Sequence, residues 1–383
     1  MKTQRIYLDY NASTPIAPEV AEAMKPFLSQ HFGNPSSQHW AGIPAKEAVE
    51  HARQQVARLL QCSPDEIVFT SGGSESNNHA IKGVFFALRE KGNHIVTTQI
   101  EHPAVIHPCR FLEKLGAEVT YVPVNRHGGV DPQDIQKAVT PKTILITVMH
   151  ANNEVGTVQP IEEISNVTRE RGIVFHTDAA QSVGKIVTEV DHLGIDLLSI
   201  AGHKLYAPKG IGALYIRKGT PIEPLIHGAG HEAGRRAGTE NILLIVGLGK
   251  ACEIAEEHLS DDRIRSMRDR FWKLLQDNFG EAVALNGHPL HRLPNTLNIS
   301  FVEKAGGELL SKLDGVAAST GAACHSGSVE LSPVLKAMGI PPEIGMGAIR
   351  FSLGRTTTME EVDRVIQLLK DTLPLSRPKV TAR

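Results

Sequence analysis

The sequence predicts an α/β protein whose sheet is mostly parallel. Through the first two thirds of the chain, short runs of β-branched and apolar residues alternate with longer stretches whose apolar residues recur at helical spacing. This alternation is typical of a parallel sheet with helices on both faces. Polar or glycine-rich residues also follow one predicted strand after another, and ligands bind at that edge in such sheets. A length of 383 residues allows about two domains.

Each predicted element follows from a local pattern. A short strand lies within 5–11, and Pro18 suits the first turn of a helix over 18–30. Residues 31–42 are rich in Gly, Pro and Ser and predict a loop, whereas 43–60 are amphipathic. Further strands are predicted over 67–70, 94–98, 119–123, 143–149, 173–176, 197–200 and 295–301. Further helices are predicted over 161–171, 241–259, 261–279 and 306–313. Glycine-rich loops are predicted over 224–230 and 234–241.

The composition excludes several classes of function. The chain has 40 Lys and Arg against 42 Asp and Glu, so no basic field points to nucleic acid or to a membrane surface. No apolar run approaches a membrane span, and the start, MKTQRIYLDYN, lacks the apolar core of a signal peptide. The cysteines, which are Cys62, Cys109, Cys252 and Cys324, are far apart and form no CxxC pair. This spacing argues against a disulfide framework or a structural zinc site, so we expect a cytoplasmic protein without a metal.

A lysine follows the predicted strand that ends near Ile200. The sequence LLSIAGHKLYAPKG places Lys204 just beyond this apolar run. Most lysines are solvated, so a strand that reaches the surface at Lys204 is the ordinary explanation. A buried lysine has a lowered pKa, however, and its free amine is then a nucleophile for Schiff-base chemistry.

Polar groups follow four other predicted strands, and each alone has a structural explanation. Ser71-Gly72-Gly73-Ser74 is explained as a turn in which glycine allows an unusual backbone conformation. The same residues are able to bind an anion at the start of a helix. They match neither the Walker nor the GxGxxG pattern. His102 is explained as a loop histidine and Asp178 as a helix N-cap. Asn153 follows a further strand. Together, five polar groups at one edge of a sheet predict a ligand site.

These residue types fit pyridoxal phosphate. The cofactor needs an amine that holds it as an imine (Lys204) and a carboxylate that keeps its ring nitrogen protonated (Asp178). It also needs a phosphate cup, for which Ser74 and the amides around Gly73 are suited. Donors to its phenolic oxygen (Gln181, with Asn153 as a further candidate) and a flat group over the ring (His102) complete the predicted set.

Many sequence blocks, in order, are similar to those of one family. They are YLDYNASTP, FGNPSS, FTSGGSESNN, EHPAV, NNEVGTVQP, HTDAAQSVGK, GHKLYAPKG, RRAGTEN, LPNTLNISF, GAACHSG and IRFSLGRTT. Over nearly its whole length the chain resembles group I cysteine desulfurases of the NifS/IscS type, which are fold-type I, class-V aminotransferase-like enzymes.

The resemblance implies a fold, an oligomer and additional site residues. It implies a pyridoxal phosphate domain over 15–255 with a mostly parallel seven-stranded sheet, and a smaller α+β domain from 1–14 and 256–383. It adds His203 to the cofactor site. It also implies a homodimer in which Thr239 reaches the cofactor phosphate of the partner subunit.

Two residues of the predicted small domain receive roles from the resemblance. Cys324 lies in AASTGAACHSGSVELSP, a polar stretch of small residues that predicts a loop, and cysteines on such loops are able to react. In the family, this loop carries the nucleophile that takes sulfur from L-cysteine as a persulfide. Arg350 is able to clamp an amino-acid carboxylate, as the matching arginine does in the family. Cys62, Cys109 and Cys252 are interpreted as structural.

Alternative functions remain open at this level. Ala201, Ala229 and the GAACHS block depart from the common desulfurase pattern, and Ala201 and GAACHS resemble selenocysteine lyases. A generic class-V transaminase has no need of Cys324, and a non-catalytic scaffold has no need of Lys204. We therefore predict a desulfurase that passes sulfur to acceptors, such as an iron–sulfur scaffold, for cluster or thio-cofactor and tRNA synthesis. The sequence does not name the acceptor.

Overall fold

A computed structural model of the chain describes residues 5–320, 322–325 and 328–373, and the side chains of 322–325, 328 and 329 lie outside this description. The strands are β1 Ile6–Tyr7, β2 Ile67–Thr70, β3 His94–Thr98, β4 Glu118–Val122, β5 Thr143–Thr147, β6 Val174–Asp178, β7 Leu197–Ala201, β8 Gly212–Ile216, β9 Val283–Asn286, β10 Thr296–Phe301, β11 Val316–Ala317, β12 Ser319–Thr320, β13 Ala322–His325, β14 Ser328–Leu331 and β15 Ala348–Ser352. The helices are α1 Pro18–Met24, α2 Gly42–Leu60, α3 Gly73–Leu88, α4 Pro103–Glu113, α5 Pro132–Ala138, α6 Ile161–Arg171, α7 Val190–Leu193, α8 Ile242–Glu257, α9 Arg263–Phe279, α10 Gly306–Ser311, α11 Pro333–Ala337, α12 Pro342–Gly345 and α13 Met359–Thr372.

The described residues divide into two compact units. The larger unit comprises Ser13–Asn153 and Thr157–Asp261. The smaller unit comprises the described parts of 1–12 and 262–383 together with Glu154–Gly156. The short segment Glu154–Gly156 was not anticipated in the smaller unit, because the sequence shows no break in composition there.

The larger unit is built on the sheet that the sequence predicts. Within its described residues this sheet has seven strands in the order β2-β8-β7-β6-β5-β3-β4. The pairs β3/β4, β3/β5, β5/β6 and β6/β7 are parallel, and β8 is antiparallel to both β2 and β7. The prediction of a mostly parallel sheet is therefore confirmed. Because β8 is antiparallel to both β2 and β7, those two strands point in the same direction. They therefore share the direction of the parallel strands β3, β4, β5 and β6.

Both faces of this sheet are covered, as a parallel sheet requires. Along β2, Ile67 and Phe69 pack into one apolar cluster, whereas Val68 packs into another. Along β8, Tyr215 belongs to the first cluster and Leu214 to the second. Since successive strand residues point to opposite faces, the two clusters are the cores on either side of the sheet.

The smaller unit has its own core. Its described strands form a four-stranded antiparallel sheet in the order β12-β15-β10-β9 and two separate pairs, β1/β11 and β13/β14. Helices α9 and α13 contribute to one apolar cluster with β10 and β15. The rings of Phe271 and Phe351 lie 5.1 Å apart in this cluster. In neither unit is any described helix long and apolar enough to cross a membrane.

The structure corrects two of the predicted elements. The helix predicted over 18–30 ends at Met24 and continues as a 3-10 turn, Lys25–Leu28, because Pro26 has no amide hydrogen to donate to an α-helix. The stretch around Cys324 was predicted as a loop, but its backbone forms the antiparallel pair β13/β14, with Cys324 opposite Val329. Small residues dominate β13, and the alternation of Val329 and Leu331 in β14 is too short to predict a strand.

The close contact between α2 and α8 gives a test of packing in the larger unit. A Cβ at Gly249 would lie 2.5 Å from Gln55 Oε1 and 2.6 Å from Ala52 Cα. We expect Gly249→Ala to lower the free energy of unfolding by about 1–3 kcal/mol, because this backbone contact leaves no room for a methyl group. The midpoint of urea unfolding measures the change.

Gly307→Ala is the matched control for that substitution. Gly307 is also helical, but a Cβ there would meet nothing within 4 Å. It should leave stability unchanged or raise it by about 0.5–1 kcal/mol. Equal effects of the two substitutions would show that the α2–α8 contact is not tightly packed.

Candidate active site

The carboxyl ends of the strands place the predicted polar groups of the larger unit at one edge of its sheet. Gly73 begins α3 after β2, and His102 precedes α4 after β3. Asp178 ends β6, and Lys204 ends a 3-10 turn that follows β7 directly. Asn153 lies after β5. Because these strands share one direction, their carboxyl ends meet at the same edge.

The electrostatics of His102 show that three of these groups are close together. Desolvation lowers the pKa of His102, the charge of Asp178 raises it, and the charge of Lys204 lowers it again. The His102 ring also caps α4, because Nδ1 accepts a hydrogen bond from the Ala104 amide at 3.1 Å. This bond places the proton of the neutral ring on Nε2. The structure therefore brings His102, Asp178 and Lys204 together.

Asp178 is a buried carboxylate that is held by N–H donors. Its Oδ2 accepts from Asn77 Nδ2 at 2.7 Å, and its Oδ1 accepts from the Ala180 amide at 2.9 Å. These bonds offset the cost of removing a charge from water. No helix follows Asp178, so the alternative of a helix N-cap is wrong. The part played by Asn77 was missed, although it lies in the quoted FTSGGSESNN block.

The start of α3 is suited to an anion. The first amides of a helix have no carbonyl partners within it, and the helix dipole favours negative charge there. Gly72 precedes the helix with φ of 145°, which favours glycine, and a Cβ on Gly73 would lie 3.1 Å from Ala201 Cβ. Ser74, in the first turn, is exposed.

The turn that carries Lys204 is fixed by a residue that the sequence did not reveal. The carbonyl of His203 accepts from the Thr14 amide at 2.9 Å and from Thr14 Oγ1 at 3.2 Å. Thr14 Oγ1 also accepts from the Tyr206 amide at 2.8 Å. Burial, together with the positive charges of Lys204 and Lys209, lowers the pKa of His203 to about 4.

Gln181 lies near the start of the segment after β6 and is buried. Its Oε1 accepts a hydrogen bond from Lys185 Nζ at 2.9 Å. This bond fixes the amide orientation, so the Gln181 Nε2 group points away from Lys185.

Thr239 is exposed in the loop that precedes α8. The loop is anchored by Glu232, whose carboxylate receives two hydrogen bonds from Arg53, at 2.8 and 2.9 Å, and one from the Phe69 amide. Glu232 and Ala233 both have positive φ values, 49° and 55°. A buried bidentate ion pair therefore holds this strained turn in place.

In the smaller unit, Arg350 lies in β15 and is buried. Its Nη2 donates to Asp9 Oδ1 at 2.7 Å and to Ser319 Oγ at 2.9 Å. Glu154 accepts a hydrogen bond from Ser332 Oγ. Burial raises the pKa of Glu154, against the opposing effects of the Ser332 hydrogen bond and the charge of Arg350.

The structure describes the side chains of three of the four cysteines. Cys109 and Cys252 are buried and Cys62 is half-buried, and burial raises the pKa of each thiol to about 12. Thiols of this kind are inert at neutral pH. The backbone of Cys324 lies in β13, and its side chain is outside the described residues. Among the described residues, no group of three or more His, Cys, Asp or Glu is placed to hold a metal ion.

Comparison with known families identifies the fold and the enzyme class. Residues 6–365 match the family model for class-V aminotransferases. The chain belongs to this family. It is 53% identical over 371 residues to the cysteine desulfurase IscS of Dictyoglomus turgidum. This match covers 96% of this chain and 94% of the relative. It is 48% identical to the cysteine desulfurase IscS of Methanosarcina thermophila, over 97% and 92% of the two chains.

Solved structures support the same family and enzyme class. A NifS-like protein superimposes with a TM-score of 0.90 and is 39% identical, over 96% of this chain and 99% of its own. A structure described as SspA in complex with cysteine has a TM-score of 0.82 and 42% identity, over 91% and 98%. The predicted fold-type I architecture and cysteine desulfurase class are confirmed, and selenocysteine lyase is disfavoured. Members of this family in general use pyridoxal phosphate.

A buried acid beside the candidate site gives a test of its electrostatics. Glu101 accepts hydrogen bonds from Thr98 Oγ1 at 2.7 Å and from the Met149 amide at 2.9 Å, and burial raises its pKa from 4.5 to about 8. The protonated form is thus favoured in the folded state. Its contribution to stability is present below pH 4.5 and is lost as the pH rises through about 8.

We therefore expect Glu101→Gln, measured in the cofactor-free chain, to remove this loss. The stability of the variant relative to wild type should rise between about pH 5 and about pH 8. Urea unfolding midpoints at both pH values measure it. Glu170→Gln, at an exposed position, should show no such trend. A pH-independent difference between Glu101→Gln and wild type would mean that Glu101 is ionised when folded.

Proposed function

We propose that this chain binds pyridoxal phosphate at the carboxyl edge of the large sheet and converts L-cysteine to L-alanine. The observation that carries the proposal is the placement of His102, Asp178 and Lys204 after three strands of one sheet, with the charges of Asp178 and Lys204 both acting on His102. The residues present also fit the cofactor: the α3 start suits a phosphate, and the buried, hydrogen-bonded Asp178 carboxylate suits a protonated ring nitrogen.

Each residue has a proposed part in holding the cofactor. Gly73 and Ser74 bind the phosphate, with Thr239 of the partner subunit in a homodimer, and Asp178 pairs with the ring nitrogen. The Lys204 amine is the attachment point. His102 lies over the ring, and Gln181, Asn153 and His203 surround it. When bound, the cofactor supplies an electron-accepting ring next to the α-carbon of the substrate.

The protein groups then act on the substrate. Arg350 binds its carboxylate, and Asn153 assists. Lys204 takes the α-proton and returns it, and His102, neutral and protonated on Nε2, moves a proton nearby. The Cys324 thiolate attacks the substrate sulfur, so that an S–S bond forms as the C–S bond breaks.

The electron pair of the broken C–S bond stays with carbon, which is protonated to give alanine. Cys324 keeps the sulfur as a persulfide, and the net change is cysteine plus thiol to alanine plus persulfide. The persulfide sulfur passes to a thiol of an acceptor protein, such as an iron–sulfur scaffold.

The decisive measurement is alanine production from L-cysteine and from selenocysteine. We expect Cys324→Ala to lower kcat with cysteine by on the order of 10³-fold or more, because the nucleophile is lost. Cys252→Ala is the matched control, since its buried thiol has no proposed part in the reaction. Full sulfur release by Cys324→Ala would contradict the persulfide step. If the wild type barely turns over cysteine and its selenocysteine turnover survives Cys324→Ala, the enzyme is a selenocysteine lyase.

Lys204→Ala tests the attachment of the cofactor separately. In wild type, borohydride should fix the cofactor covalently to the chain, because reduction of an imine leaves a stable amine. Mass spectrometry of a peptide that contains Lys204 measures this. The variant should lose both the adduct and the activity. A reduced adduct that persists in Lys204→Ala would place the attachment at another amine.

A further inference from the structure

Arg350 is held by two neighbours in the smaller unit. Nη2 of Arg350 donates to Asp9 Oδ1 at 2.7 Å and to Ser319 Oγ at 2.9 Å, and Ser319 Oγ donates to the same Asp9 oxygen at 2.8 Å. We call Asp9, Ser319 and Arg350 the Asp9 cluster. Both hydrogens of Nη2 are therefore engaged within the cluster.

The backbone fixes this cluster. Ser319 and Arg350 are cross-strand partners in the antiparallel pair β12/β15. On the other side, Asp9 forms a parallel bridge with Ser352, and the Ser352 amide donates to the Leu8 carbonyl at 2.8 Å. Each side chain thus comes from a paired backbone segment, so the contacts with Arg350 are built into the sheet.

These contacts bear on how Arg350 is able to bind a carboxylate. A guanidinium binds a carboxylate through two parallel hydrogen bonds, along the edge formed by Nη1 and Nη2 or the edge formed by Nε and Nη2. Nη2 belongs to both edges. A carboxylate that binds in this way must therefore take a hydrogen of Nη2 from Asp9 or from Ser319.

We propose that Asp9 is an internal competitor that limits the affinity of Arg350 for the carboxylates of substrate and product. The inference rests on the proposed function, in which Arg350 binds the amino-acid carboxylate. Asp9 is itself a carboxylate in contact with the guanidinium, so an incoming carboxylate meets both an occupied Nη2 and a like charge. The same competition weakens the hold on alanine and so favours its release. Asp9 is a specificity-determining residue in this scheme.

Asp9→Asn separates charge from geometry. The amide Oδ1 is still able to accept from Arg350 Nη2 and from Ser319 Oγ, so the cluster is retained while its negative charge is lost. We expect the Kd for L-alanine and for L-cysteine to fall about ten-fold, because the like charge is gone. Cysteamine and ethylamine, which lack the carboxylate, should bind unchanged.

The binding is measured in the holoenzyme with Cys324→Ala as the background, so that turnover is blocked, by following the absorbance of the bound cofactor. Five chains are compared: the background alone, and the background with Asp9→Asn, Ser319→Ala, Arg350→Gln or Asp363→Asn. Ser319→Ala should tighten carboxylate binding less than Asp9→Asn, since it removes a competing hydrogen bond but no charge. Asp363→Asn, which removes an exposed acid of α13, is the charge control and should have no effect.

The variants distinguish the proposed role of Arg350 in carboxylate binding from the competitor role of Asp9. If Arg350→Gln weakens cysteine and cysteamine equally, the proposed role of Arg350 fails. If Arg350→Gln selectively weakens cysteine but Asp9→Asn leaves it unchanged or weakens it, the competitor role of Asp9 is overturned and Arg350 keeps its role. An equal effect of Asp363→Asn would also overturn it, because the effect would then be one of net charge.

Discussion

The candidate site depends on how the protein keeps charged groups buried at the carboxyl edge of the large sheet. Asp178 is only 5% exposed, and two N–H donors, from Asn77 and Ala180, compensate for the lost water. Asn77 belongs to α3, whereas Asp178 ends β6. One hydrogen bond therefore joins the start of the helix suited to phosphate to the carboxylate suited to a ring nitrogen.

The neighbouring Glu101 carboxyl group is also buried, but protonation rather than a set of N–H donors offsets the cost of its burial. It lies within electrostatic reach of Asp178, and its pKa rises to about 8, so it is largely protonated at neutral pH. Two carboxylates that were both ionised in this buried region would repel each other, and a proton on one of them removes this cost. The carboxyl group still accepts from Thr98 and from the Met149 amide, which ties the ends of β3 and β5 together.

The sequence was sufficient for six of the seven described strands of the large sheet and for most of its edge, but it did not predict β8. The strand over 94–98 and the helix over 161–171 match the structure at both ends, because apolar periodicity and local stop signals such as Gly172 determine them. The convergence of His102, Asp178 and Lys204 also followed from the sequence, since the topology rule for parallel sheets needs only the strand ends.

Long-range partners were not predictable in this way. Thr14 fixes the Lys204 turn across nearly the whole larger unit, and Asp9 contacts Arg350 from the opposite end of the chain. Neither spacing carries a local signal, because nothing in a sequence pattern shows which distant side chains meet. The strands β13 and β14 were missed for another reason: the stretch around Cys324 is dominated by small and polar residues, which give little strand signal, although its backbone pairs.

The burial of the other thiols bears on which cysteine reacts. With a pKa of about 12, Cys62, Cys109 and Cys252 each have a thiolate fraction of roughly 10⁻⁵ at pH 7. Cys252 packs in the core of the larger unit, so an incoming substrate sulfur cannot reach it without unfolding. A nucleophile that must accept sulfur and then pass it to another protein needs both a thiolate and access from solvent. None of these three cysteines meets both needs, which supports the assignment of that step to Cys324.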